Sequence, residues 1–169
     1  MRPYALAIAL LALTMCTPAM AAGAPAANAD ETVRSAADPV VGRQLDDLDY
    51  TYTVDEDGDY KLTFEVGGGR TQLAYVISSV EKFGDFQVRE VWAPAYRAPN
   101  DQFPVAVANR LLEDSHSSKL GGWVKQGNMA VFVVKVAADA TASQLDNAID
   151  FVLRSADEME KELTGKDEF

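Results

Sequence analysis

Polar and apolar positions change their period several times along this chain, and each change marks an element. In "DPVVGRQLDDL" the residues Val41, Leu45 and Leu48 fall at helical spacing, Asp38 can cap, and Pro39 fits the first helical position. Gly42 weakens that helix. Two-residue alternation follows: Tyr60, Leu62, Phe64 and Val66 point one way, and Lys61, Thr63 and Glu65 the other. The preceding "YTYTV" is equally strand-like, and Asp57-Gly58 between the two runs suits a tight hairpin turn. "GGGR" turns the chain into "TQLAYVISSV", and "EKFGD" turns it again into "FQVREVW". The pattern predicts four strands here, a meander of antiparallel neighbours.

A second helix is expected from Asn100, whose side chain can cap free amides, with Pro104 tolerated in its first turn. Phe103, Val107 and Leu111 share its apolar face, and "HSSKLGG" ends it. Trp123 begins another strand, "QGN" turns it, and "MAVFVVKV" is apolar on both faces, as a covered strand would be. In the last helix Thr141 and Gln144 form a capping box, and Leu145, Ala148, Ile149, Val152, Ala156, Met159 and Leu163 follow helical spacing up to the stop at Gly165. The predicted order is α-β-β-β-β-α-β-β-α. That is an α+β domain, an antiparallel sheet with packed helices, over residues 38–169.

The first residues follow another logic. Arg2 precedes the apolar run "YALAIALLALTM", too short to span a bilayer comfortably, and Ala19 and Ala21 supply the small residues of a cleavage site. Residues 1–21 read as a secretory signal peptide, and residues 22–37, rich in Ala, as a flexible tether. No other run in the chain is suited to crossing a membrane, so the expected location is periplasmic or secreted. A minor alternative is a lipoprotein acylated at Cys16, although Met15 is large where that signal wants a small residue. Otherwise Cys16 leaves with the signal, and no disulfide can staple the remainder.

Charge narrows the function. The formal net charge of −11 becomes −12 once Arg2 is removed. Phosphate backbones repel such a chain, which argues against nucleic-acid binding.

Candidate chemistry is sparse. "TVDEDGDYKL" carries Asp55, Asp57 and Asp59 around Gly58, but neither register of a calcium loop delivers the bidentate carboxylate at its twelfth position, and strands flank it. It reads as a hairpin turn. Asp114, Ser115 and His116 are triad residue types, yet consecutive residues cannot line up in one hydrogen-bonded row. With one His and no Cys beyond the signal, a transition-metal cluster is not expected. "GGGR" precedes a strand, whereas a phosphate loop precedes a helix. No catalytic, cofactor or metal residue is predicted.

One segment stands apart. "VWAPAYRAP" concentrates Trp92, Tyr96 and Arg97, residue types favoured at interface hot spots, beside prolines that interrupt strand pairing. The same features also describe a core Trp at a strand end.

Three phrases, "LDDLDYTYTVDEDGDYKLTFEV", "LLEDSHSSKLGGWVKQGNMAVFVVKV" and "LDNAIDFVLRSADEMEKELTGKDEF", resemble in sequence and in order the YbjN-domain family. The likeness spans roughly residues 38–169. It implies a fold similar to type III secretion chaperones and a role as a bacterial sensory transduction regulator, and it brings no catalytic residues. Chaperones of related fold dimerise and bind extended segments of other proteins, so the resemblance implies a protein or peptide partner, or a homodimer. The export signal departs from those cytoplasmic roles. The leading expectation is a non-enzymatic binding module. A carboxylate-dependent envelope hydrolase and a small-molecule or lipid carrier remain alternatives.

Overall fold

The computed structural model describes residues 36–169. The expected signal peptide, and all but the last two residues of the tether, lie outside the described residues. Helix α1 (Pro39–Asp47) opens with Asp38 accepting from the Val40 amide and Pro39 in the first turn. Then come β1 (Tyr52–Val54), β2 (Tyr60–Gly67), β3 (Arg70–Val76), β4 (Glu81–Phe83) and β5 (Phe86–Arg97). Helix α2 (Val105–Ser117), β6 (Gly122–Gln126), β7 (Met129–Ala137) and α3 (Ala142–Leu163) complete the order. The fold is α+β, with seven strands in one sheet.

Two boundaries differ from expectation. "EKFGD" is not only a turn: Glu81–Phe83 pairs with the start of β5, giving five strands before α2. Helix α2 starts at Val105 rather than near Asn100, with Pro104 as its N-cap. A proline pushes the residue before it out of helical conformation, which holds Phe103 outside the helix. Asn100 Oδ1 instead accepts the Gln102 amide within its own turn (2.9 Å).

Every strand pair is antiparallel, in the order β1-β2-β3-β5-β7-β6, with β4 on the flank of β5. Alternation sends Leu62, Ala74, Val76, Val91, Ala93, Phe132 and Val134 to one face, where they meet the buried side of α3. Val41 and Leu45 of α1 and Leu111 of α2 enter the same core. The capping box at Thr141 and Gln144 is formed as expected. The second face of the sheet carries the opposite parity, including Leu73, Tyr75, Trp92, Pro94, Val131 and Val133.

Candidate functional site

Strand β5 is the hub, because both β3 and β7 pair with it. Its twelve residues run "FQVREVWAPAYR". Arg89, Val91 and Ala93 point to the helices, so Trp92 and Pro94 point to the second face. Trp92 is half-buried there and stacks on Tyr75 of β3, with ring centroids 4.3 Å apart and planes 18° from parallel. Trp92 lies opposite Val133 and Pro94 opposite Val131 across the ladder to β7. Leu73 extends the same apolar strip on β3.

After Pro94 the register shifts, with Ala95 as an extra residue before Tyr96 pairs with Ala130. Such a bulge reverses which face the following side chains take. Tyr96 therefore meets Phe103 edge-on at 5.8 Å and packs at the rim of the core. Arg97 is exposed, donates from Nε to Glu168 (2.7 Å) and lies 5.5 Å over the Phe169 ring. The structure thus takes Tyr96 to the core side, while Arg97, opposite Met129, shares the second-face parity of Trp92 further along β5, beside Glu168 and Phe169. Tyr75 and Leu73, which sequence reasoning did not single out, are the residues that accompany Trp92. Their parity in "TQLAYV" was the available signal.

Pro94 does not end the strand. Its carbonyl faces β3 and accepts from Gln72 Nε2 (2.8 Å), so its nitrogen faces the same side. The β3–β5 ladder has stopped by then, having paired only Tyr75 with Trp92 and Val76 with Val91, and no donor is needed there. Gln72 bridges the parted strands, donating also to the Leu73 carbonyl (3.4 Å), while its buried Oε1 has no partner among the described residues. Chain beyond α3 is fastened at the outer end of β3. Arg70 holds Asp157 (2.6 Å), Glu160 (3.0 Å) and the Lys166 carbonyl (2.5 Å), and the Thr71 amide donates to Asp167 (3.1 Å). Glu160, fully buried, accepts the Glu168 amide (2.6 Å). Burial pushes its carboxyl above the ordinary range, although that amide and the Arg70 guanidinium pull it down.

The other candidate chemistry is accounted for locally. Asp55 Oδ1 accepts the amides of Asp57 (3.0 Å) and Asp59 (2.9 Å), so this oxygen organises a hairpin turn, as expected. Asp59 in turn accepts the Ser78 amide (2.7 Å). Asp114 binds Arg110 (3.3 Å) and the Trp123 indole (2.8 Å), Ser115 Oγ donates to the Leu111 carbonyl (2.8 Å), and His116 is exposed in the last turn of α2. These three side chains form no relay. "GGGR" is a two-residue hairpin closed by Gly67 and Arg70. Among the described residues no group of three or more His, Cys, Asp or Glu is placed to hold a metal ion. Arg89, buried, donates to the Ile77 (2.8 Å) and Ser78 (2.7 Å) carbonyls and pairs with Asp38, which locks the start of α1 to the sheet. Burial raises the Asp38 carboxyl, but the Val40 amide and Arg89 outweigh it, and it lies below the ordinary range.

No curated protein matches the chain. The family model YbjN, described as "Putative bacterial sensory transduction regulator", matches residues 37–164. That span covers the whole sheet and all three helices, and the chain belongs to the YbjN family.

Proposed function

We propose that this protein is an exported, non-enzymatic regulatory module that works by holding another polypeptide on the second face of its sheet. One observation carries the reading: the Trp92–Tyr75 stack, half-buried and continued by Leu73, on the face turned away from the core. Stacked aromatics of this kind supply large contact area at little cost in side-chain entropy, which is how interface anchors work. The family's description as a regulator agrees with a binder rather than a catalyst. A hydrolase using carboxylates alone needs two that converge, one of them raised. Glu160 is raised, but its oxygens already serve the Glu168 amide and Arg70.

Leu73→Glu and Tyr75→Glu, made separately, test the reading. Each places a charge on the strip without entering the helix-side core. Captured partners in envelope extracts should fall at least tenfold for both variants at an unchanged melting temperature. Undiminished capture by two folded variants would remove this face from the function.

A further inference from the structure

Among the places where the described residues expose large apolar side chains, two complement each other. The first is the tip of the β4–β5 hairpin, "FGDF". Phe83 and Phe86 are cross-strand partners around the two-residue turn Gly84-Asp85, so their rings lie on the same side. They are 84% and 72% exposed. The tip extends past the end of β7, whose Ala137 pairs with Val88 of β5. The second place is a groove between α2 and β6, lined by Phe103, Ala108, Leu111, Leu112, Trp123 and Val124. Its volume is about 240 Å³. An apolar cavity of about 150 Å³ accepts benzene, so a phenyl ring fits. Leu112 is 66% and Val124 45% exposed at its mouth. Lys125 stands on the rim, its ammonium 5.7 Å over the Phe103 ring.

We infer that the hairpin tip of one copy docks into the α2–β6 groove of a second copy. Shape and charge both match: an aromatic ring of the tip meets a ring-sized apolar groove, and Asp85 beside it meets Lys125 on the rim. One molecule cannot satisfy itself. Val124 is level with Pro94 through Val131, and Phe86 lies eight residues further back along β5 (94 − 86), roughly 26 Å away at strand spacing. A contact between two different patches is heterologous and propagates head to tail rather than closing as a two-fold dimer. This contact uses neither Trp92, Tyr75 nor Leu73. It can therefore stand or fall separately from the proposed function.

The test is a mixing experiment read by light-scattering mass. The wild-type mass should rise with concentration beyond that of a dimer. Phe83→Ser combined with Phe86→Ser removes the tip and keeps the groove; Leu112→Glu spoils the groove and keeps the tip. Each variant alone should remain monomeric at concentrations where the wild type associates. Their equimolar mixture should form dimers and nothing larger, because only one competent tip and one competent groove can meet. Asp85→Lys should weaken association at least tenfold, and mixing it with Lys125→Glu carrying an intact tip should restore part of the loss. All four variants should keep the melting temperature of the monomeric wild type within a few degrees, since the substituted side chains are exposed. A monomeric wild type, self-association that survives either substitution, or a mixture that stays monomeric would each overturn the contact.

Discussion

At Gly121 the backbone has positive φ (78°), and an added Cβ would lie 2.2 Å from the Val133 carbonyl oxygen. Neither problem can relax, because that carbonyl belongs to β7, whose residues here are buried. Gly121→Ala should cost about 3 kcal/mol in urea unfolding, from left-handed strain plus overpacking; a loss under about 1 kcal/mol would mean that β6 starts differently. Gly58 (φ 84°) is also left-handed and its carbonyl accepts the Ser78 hydroxyl (2.6 Å); from the strained conformation, Gly58→Val should cost about 1–2 kcal/mol. Asp57→Asn should change little, because the turn is organised by Asp55 and Asp57 is exposed. Calcium that strongly raised the melting temperature of the wild type, and not of that Asn variant, would contradict the turn reading. Residues of this kind are legible in sequence, since Asp-Gly between alternating runs states its own geometry. Buried polar residues are not. Gln72 finds Pro94 at a separation of 22 residues, Arg89 finds Asp38 at 51, and Arg70 finds Glu160 at 90. Periodicity says which face such a side chain takes, and nothing about what waits there. Gly42 shows the same limit from the other side. It reads as a flaw in α1, yet a Cβ there would meet the Tyr60 hydroxyl at 2.8 Å, where that hydroxyl donates to the Asp38 carbonyl.

Among elements, those with a long uninterrupted period were the most readable. Helix α3 and its capping box, and strands β2 and β7, appear where the pattern puts them. Strand β4 was hidden because its three residues are all exposed and leave no burial pattern to read. The bulge at Ala95 was hidden too, and it is what parts Trp92 from Tyr96. A sequence cluster is a spatial cluster only while the period holds. Where β3 and β5 part, the chain after α3 supplies the missing partners, and Glu160 is its buried anchor. Burial raises the Glu160 carboxyl, so the folded state favours its protonated form. That contribution is complete below the unfolded-chain value, near pH 4, and is lost as pH rises through the raised folded value. Glu160→Gln does not titrate. Its stability relative to the wild type should therefore improve as pH rises from about 4 through the raised folded value and stay level above it, as read from paired urea titrations. A difference that stays constant, or moves the other way, would show that Arg70 and the Glu168 amide outweigh burial.

For the molecule as a whole, charge and covalent structure set the conditions under which any partner is met. A chain of net charge −11 carries a field that repels phosphate and anionic lipid and attracts basic polypeptide, and its one cysteine, Cys16, lies in the segment read as the export signal. No helix of the described residues is long and apolar enough to cross a membrane. We propose that the protein is released into the envelope by cleavage after Ala21, and this bears directly on which partners can reach the sheet face. A regulator that keeps its amino-terminal segment works at a membrane surface, in a layer of fixed orientation; one that loses it diffuses and can link its own copies head to tail. The motive for cleavage is the short apolar run after Arg2, followed by Ala19 and Ala21 at the spacing a signal peptidase reads. Sequencing the amino terminus of protein recovered from the envelope should begin at Ala22. An intact Met1 would mean retention, and an acylated Cys16 at the terminus would mean a lipid anchor. Either result would confine head-to-tail association to the plane of a membrane and move the search for the partner to proteins held in that same plane.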